Sequence, residues 1–162
     1  MRKLLWILII LFFPIFSKAA YHTSGYISVK YLSGYTYQVT IVDYTVGNII
    51  DTGACGTNDA DTIRIYWGDG QSTLLTRSNG KGDSVCECRK ANLYIGTHTY
   101  TGYGNYTIWY GAASRIPNIQ NMINSGNQQI MITHTLIISP LTGNTNSPVI
   151  ANPPICTYGC TS

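Results

Sequence analysis

Alternation between apolar and polar side chains, repeated in short segments, constrains this chain more than any other feature of its sequence. In residues 35–41 every second side chain is aromatic or aliphatic, and those between are Thr or Gln. A similar period of two recurs in residues 62–67, 105–110 and 129–138. Successive side chains of a β-strand point to opposite faces, whereas a helix needs apolar residues three or four positions apart. The alternation therefore predicts half-buried strands.

Turn residues separate these segments and extend the prediction to a fold. Ser33-Gly34 and Gly68-Asp69-Gly70 each join two strand segments, which is typical of hairpins. About seven strands are predicted, at residues 26–31, 35–41, 62–67, 72–77, 93–100, 105–110 and 129–138. Short strands joined in this way predict an all-β protein with the fold of an antiparallel β-sandwich. Residues 112–128 are expected to form a long loop with one helical turn around Ile119 to Ile123.

The first 19 residues have the three parts of an export signal. Arg2 and Lys3 precede an apolar run from Leu4 to Phe16, and Ser17-Lys18-Ala19 follows it. The run is 13 residues long, whereas a helix that crosses a bilayer needs about 20 apolar residues. We therefore expect residues 1–19 to be a cleaved signal peptide, with no stable membrane insertion after cleavage.

The remaining chain divides into one domain and a tail. Residues 20–139 carry the strand pattern and are expected to form a single domain. Residues 140–162 are rich in Pro, Asn and Ser without periodicity, which indicates a linker tail or the truncated start of a further domain.

Charge gives no support to nucleic acid or an anionic membrane as a partner. The whole chain has ten basic and seven acidic residues, and three of the basic ones, Arg2, Lys3 and Lys18, lie in the predicted signal. The mature chain is therefore neutral, and its basic residues are scattered rather than clustered. The partner classes left are a protein or glycan surface ligand, or neighbouring domains of a larger protein.

All five cysteines lie in the part of the chain that is expected to be exported, where disulfides form. They are Cys55, Cys86, Cys88, Cys156 and Cys160. An odd number leaves one thiol over, and spacing alone does not fix the pairing. A zinc site formed by Cys86 and Cys88 with His98 or His134 is the alternative.

Two segments resemble the signatures of PKD (polycystic kidney disease) domains. Residues 65–70, Ile-Tyr-Trp-Gly-Asp-Gly, are similar to the family's strand that ends in W-G-D-G. Residues 97–108 are similar to its second signature, H-x-Y followed by G-x-Y-x-V. The resemblance implies an antiparallel immunoglobulin-like, PKD-type β-sandwich, with the structural motif residues Trp67, Gly68, Asp69, Gly70, His98, Tyr100, Gly104 and Tyr106.

The order of segments also resembles the amino-terminal region of gliding-motility-associated surface proteins of Bacteroidetes. Those proteins have a signal peptide, a strand pair like residues 25–44, a PKD-like middle and a segment like residues 146–155, before further repeats and a sorting domain. The resemblance implies a role in cell-surface contact or in a motility-associated adhesin. It implies an extracellular or cell-surface location, or a periplasmic one if no sorting domain follows.

Candidate site residues have structural as well as functional interpretations. Gly68-Asp69-Gly70 fits a hairpin turn in which Asp69 caps backbone N–H groups. Trp67 and Tyr100 fit the buried Trp and the tyrosine corner of sandwich folds. The best metal candidate is a calcium site at Asp51, Asp59 and Asp61, although the alternating series of ligands is incomplete there.

No nucleophile, base and orienting group stand in a recognisable catalytic arrangement. We therefore expect no enzymatic activity and no cofactor, apart from the candidate Ca²⁺. The function predicted is a non-enzymatic structural or interaction module of a bacterial surface protein. The alternatives are a carbohydrate-binding module that uses exposed Tyr side chains or Trp109, and a calcium-stabilised spacer domain.

Overall fold

The computed structural model describes residues 21–46, 59–86, 89–141, 146–148 and 150. Within these residues, eight strands form two four-stranded sheets. They are β1 (Tyr21–Ser33), β2 (Thr36–Val46), β3 (Thr62–Tyr66), β4 (Ser72–Thr76), β5 (Asp83–Cys86), β6 (Arg89–Thr99), β7 (Gly104–Ala112) and β8 (Ile130–Ile138). The predicted all-β sandwich is confirmed, with one more strand than the sequence indicated. The predicted signal peptide lies outside the described residues.

Each sheet contains one of the predicted hairpins. The first sheet has the order β1-β2-β6-β5 and the second has the order β4-β3-β7-β8. All pairings between these strands are antiparallel. β1 and β2 are joined through Gly34, whose φ of 54° favours glycine. The connection from β6 to β7 passes from the first sheet to the second.

The core lies between the sheets and consists of the inward side chains of the alternating segments. It contains Ile27, Val29, Tyr37, Val39, Ile41, Ile63, Ile65, Trp67, Leu75, Tyr94, Tyr100, Ile108, Tyr110, Ile130, Ile132, Leu136 and Ile138. Tyr35 and Tyr106, which are also predicted to face inward, are half-buried and pack against this cluster. The period of two therefore identifies most of the core, because burial follows strand geometry directly.

The structure differs from the prediction where local pattern is weak. β5 is four residues long and has no buried side chain. Because neither of its faces is buried, its sequence does not alternate between apolar and polar residues. β1 begins earlier than predicted because residues 21–25 pair with residues 43–46 of β2. The His22 N–H also donates to Ser114 O, in the loop before β8, at 3.0 Å. The helical turn predicted around Ile119 to Ile123 is a single hydrogen-bonded turn, and a short 3₁₀ helix at Ser125–Asn127 follows it.

Part of the predicted linker tail is held against the edge of β1. The Tyr31 N–H donates to Asn146 Oδ1 at 2.8 Å, and the Val29 N–H donates to Ser147 Oγ at 3.0 Å. The Ser147 N–H donates in return to Val29 O at 2.8 Å. Residues 146–148 thus cover the edge of β1. We refer to residues 146–148 as the edge cover.

Candidate functional site

The turn that follows β3 is the first part of the candidate site. Gly68 has a φ of 87°, and a Cβ built there would lie 2.5 Å from Thr107 N on β7. Gly70 has a φ of 88°, with open space around it. The Asp69 carboxylate accepts a hydrogen bond from the Gln71 N–H at 3.0 Å. The turn therefore requires glycine at residue 68 for two reasons, conformation and close approach to β7.

His98 on β6 joins this turn to the first sheet. Its Nε2 lies 2.7 Å from Asp69 Oδ2. Its ring stacks on Trp67 with the ring centroids 4.6 Å apart and the planes 7° from parallel. Trp67 is fully buried, and its indole N–H donates to Thr73 Oγ1 at 2.9 Å. The histidine thus has a carboxylate at one nitrogen and an aromatic face against its ring.

Tyr100 completes the site from the end of β6. Its hydroxyl donates to the Trp67 carbonyl at 3.2 Å, and its side chain is buried. Its ring packs against Tyr106, whose hydroxyl donates to Gly102 O at 3.1 Å. A Cβ at Gly104 would lie 3.1 Å from the Tyr106 ring. The structure therefore connects five of the motif residues through their side chains, namely Trp67, Asp69, His98, Tyr100 and Tyr106. Gly68 and Gly70 shape the turn, and Gly104 lies against the Tyr106 ring.

Electrostatics in this cluster favour a fixed network of hydrogen bonds. Burial alone would raise the pKa of Asp69, but hydrogen bonds from His98 and from the Gln71 N–H hold that pKa below its ordinary value. Burial raises the pKa of Tyr100, and the charge of Asp69 raises it further. Asp69 is thus held ionised and Tyr100 protonated, the states in which each makes its hydrogen bonds.

The candidate calcium ligands are occupied by an arginine. Arg77 forms ion pairs with Asp61 and, at 3.4 Å, with Asp59. Asp59 also accepts a hydrogen bond from Thr45 Oγ1 at 2.8 Å. A guanidinium therefore lies where the calcium prediction places the cation, while Asp51 lies outside the described residues. Across the described ranges, no group of three His, Cys, Asp or Glu side chains has metal-binding geometry.

A second carboxylate and imidazole pair was missed by the sequence reasoning. His22 Nδ1 lies 2.8 Å from Asp43 Oδ2, and the Tyr110 hydroxyl donates to the same oxygen at 3.4 Å. Asp43 is 1% exposed. Its position was a usable signal, because Asp43 continues the inward register of Val39 and Ile41. The pair links β1, β2 and β7 inside the sandwich.

The cysteine predictions fall mostly outside the described residues. Cys86, at the end of β5, is the one cysteine within them, and Cys55, Cys88, Cys156 and Cys160 lie beyond. The histidines proposed as partners of zinc have other contacts. His98 bonds to Asp69, and His134 Nε2 lies 3.0 Å from Ser147 Oγ. Burial lowers the pKa of His134, so this histidine is neutral at physiological pH.

Trp109, the residue proposed to stack on sugars, lies on the outer face of the second sheet. Its ring is stacked on Tyr66 of β3, with centroids 3.9 Å apart and planes 4° from parallel. One face of the indole is therefore already covered by a neighbouring ring. Only the opposite face and the ring edge are left for a ligand.

Comparison with protein-family models, with curated proteins and with solved structures found no match. In the described portion of the chain, no helical segment has the length and apolar character needed to cross a bilayer.

Proposed function

We propose that this chain is a non-enzymatic, exported structural or interaction module of a bacterial cell-surface, adhesion or gliding-motility-associated protein, built on a PKD-like sandwich. The proposal combines the resemblance of its two signatures with the contacts that the signature residues make.

One observation carries the proposal: the polar groups of the signatures are bonded to one another inside the molecule. The side chains of His98 and Asp69 are only 10% and 9% exposed. A catalytic imidazole must reach a substrate, whereas His98 is enclosed by Asp69, Trp67 and Tyr100. The arrangement favours a joint between two sheets over a reaction centre.

The state of Cys86 supports the exported location. We propose that this cysteine is disulfide-bonded, and such bonds persist mainly in oxidising compartments. Its partner lies outside the described residues, so the pairing with Cys55 or with another cysteine stays a prediction.

The proposal is tested by expressing the full chain in a bacterial host and fractionating the cells. We expect the protein in the periplasm or the medium, with an amino terminus at Ala20 or Tyr21 by mass spectrometry. A variant in which Leu8 and Ile9 are changed to Arg is the control, because a charged core abolishes an export signal. A cytoplasmic protein that retains residues 1–19 contradicts the proposal.

The non-enzymatic part is tested with a panel of hydrolase and transferase substrates. We expect no turnover above that of the buffer. Turnover that disappears in His98→Ala or His22→Ala, at a temperature where both variants remain folded, contradicts it.

The calcium-stabilised spacer has less support than the proposed function. Arg77 neutralises both of the described candidate ligands, Asp59 and Asp61, so a second cation there would meet a like charge.

A further inference from the structure

A groove lined largely by tyrosine lies at the end of the sandwich where β1 turns into β2. Gly34 and Tyr35 come from this turn, Tyr37 from β2, Tyr103 from the β6–β7 connection and residues 138–140 from the end of β8. We refer to these residues as the tyrosine groove. Its volume is about 400 Å³, within the range of about 300–1,000 Å³ that is typical of small-molecule sites.

Two rings form a corner in the tyrosine groove. The rings of Tyr35 and Tyr103 are 5.5 Å apart between centroids and 86° from parallel. Tyr103 is 61% exposed. Tyr37, which also lines the groove, is almost wholly buried. A ligand in this corner would meet aromatic carbon on two sides.

Two of the three tyrosines in the groove, Tyr35 and Tyr37, are held by contacts with the fold around them. The Tyr35 carbonyl accepts a hydrogen bond from the Tyr100 N–H at 3.0 Å. The Tyr37 ring packs edge to face against Tyr31 and Tyr100. A site that is ordered before binding loses less conformational entropy on binding.

The chemistry of the lining selects for an uncharged ligand with both apolar faces and hydroxyl groups. None of the lining residues carries a charge. Tyrosine offers a ring that packs on the C–H face of a sugar and a hydroxyl that bonds to the sugar's own hydroxyls. From this geometry we infer that the tyrosine groove binds a neutral carbohydrate, with one sugar ring of an uncharged glycan packed in the corner.

A proline-rich peptide is the main competing ligand, since aromatic grooves also bind extended polyproline segments. Such grooves are open along their length. Here the perpendicular ring of Tyr103 closes a corner, which suits a compact sugar ring better than a continuous peptide. Trp109 is the competing carbohydrate platform, but Tyr66 covers one of its faces.

This inference rests on the interaction role within the proposed function and assigns the ligand class. The proposed function and this inference can be contradicted by different results. A protein that is exported and processed but binds no glycan leaves the proposed function standing and removes the inference.

The test is affinity electrophoresis of the secreted protein through gels that contain a soluble neutral β-glucan, xylan, mannan or galactan. Gels with anionic alginate and a gel without polysaccharide are the references. We expect slower migration in at least one neutral gel. Tyr103→Ala should weaken that binding about tenfold or more, because it removes the exposed wall of the corner.

Two further variants make the test specific. Tyr103→Phe keeps the ring and should retain more binding than Tyr103→Ala. Trp109→Ala is the matched control on the other aromatic surface and should bind as the unchanged protein does. Unaltered migration in every neutral gel overturns the inference, as does equal binding by Tyr103→Ala, loss of binding in Trp109→Ala, or binding of an oligoproline peptide in place of glycan.

Discussion

The Asp69 carboxylate uses its two oxygens for different parts of the chain. One oxygen accepts the Gln71 N–H within the turn, and the other bonds to His98 on the opposite sheet. Hydrogen bonds to a charged group contribute about 1.5–3 kcal/mol when the group is shielded from water. This single side chain therefore ties a local turn to the packing of the two sheets.

Replacing Asp69 by Asn should lower the free energy of unfolding by about 1–3 kcal/mol at neutral pH. The folded-state pKa of Asp69 is below its ordinary value of 3.8. Its contribution to stability is therefore present above pH 3.8 and is lost as the pH falls through the lower folded-state pKa. Urea unfolding should be measured at neutral pH and at about pH 3. The difference in the free energy of unfolding between the variant and the unchanged protein should be smaller at the acid pH.

Asp83→Asn is the control for this measurement, because Asp83 is an exposed residue of β5. It should change stability little at either pH. A difference for Asp69→Asn that stays constant down to the acid range would contradict the assigned cause.

Three core tyrosines make the fold sensitive to alkali. Burial raises the pKa values of Tyr94, Tyr100 and Tyr110 above the ordinary 10.0. Their stabilising contribution is complete below pH 10.0 and declines above it, since the unfolded chain loses these protons first. An absorbance titration of tyrosinate, followed beside circular dichroism, should show their ionisation only as the sheet signal is lost. Ionisation of all 13 tyrosines in a folded protein would contradict this.

At the scale of the element, the β3–β4 hairpin depends on which glycine is replaced. Gly68→Ala and Gly70→Ala each force a non-glycine residue into positive φ, at a cost of about 1–2 kcal/mol. Only Gly68→Ala also places a Cβ 2.5 Å from the backbone of β7. We expect Gly68→Ala to be the more destabilising by at least about 1 kcal/mol, measured by urea unfolding. Equal losses would show that the close approach to β7 is relaxed without cost.

The edge of β1 depends on the edge cover. Asn146→Ala removes the acceptor of the Tyr31 N–H, and Ser147→Ala removes the acceptor of the Val29 N–H. Asn146→Ala should raise the hydrogen-exchange rate of the Tyr31 amide, and Ser147→Ala should raise that of the Val29 amide. The exchange rate of the Val39 amide, in β2, should not change in either variant. Exchange measured by NMR that is unchanged at Val29 and Tyr31 would show that the edge cover does not protect this strand.

Elements with a strong period were predictable from sequence, and contacts between elements were not. β2 and β8 follow from alternation because burial and strand geometry share one period. β5 has no such pattern, since it is a short exposed edge. The Asp69–His98 bond was not predictable in detail, because it depends on how two sheets are packed. The resemblance to PKD domains named Asp69 and His98 as motif residues, but it did not indicate that their side chains are in contact.

The His22–Asp43 pair shows the same limit at the candidate sites. Asp43 in an apolar register is visible in the sequence, but its partner lies on another strand and across a β-bulge between His22 and Ser24. The calcium prediction did not include Arg77, because Arg77 reaches Asp59 and Asp61 only through the fold. Clusters of like charge in a sequence do not reveal the opposite charge that the fold brings to them.

For the whole molecule, the disulfide proposed at Cys86 is expected to stabilise the fold. If its partner is Cys55, the closed loop of about 31 residues corresponds to about 3–4 kcal/mol in the chain-entropy model. Peptide mapping without reduction should identify the partner, and unfolding with and without reductant should show the loss. Cys86→Ser is the matched variant. A Cys86 found as a free thiol in the secreted protein would contradict the prediction.

The direction of the first and last strands has a mechanical consequence. β1 runs from Tyr21 towards the tyrosine groove, and β8 ends at Ile138 in that groove. A pull applied between Tyr21 and Ile138 would thus load β1 and β8 lengthwise, straining the ladders to β2 and β7 in shear, with many bonds resisting at once. Separating the same strands from one end, one hydrogen bond at a time, would need far less force.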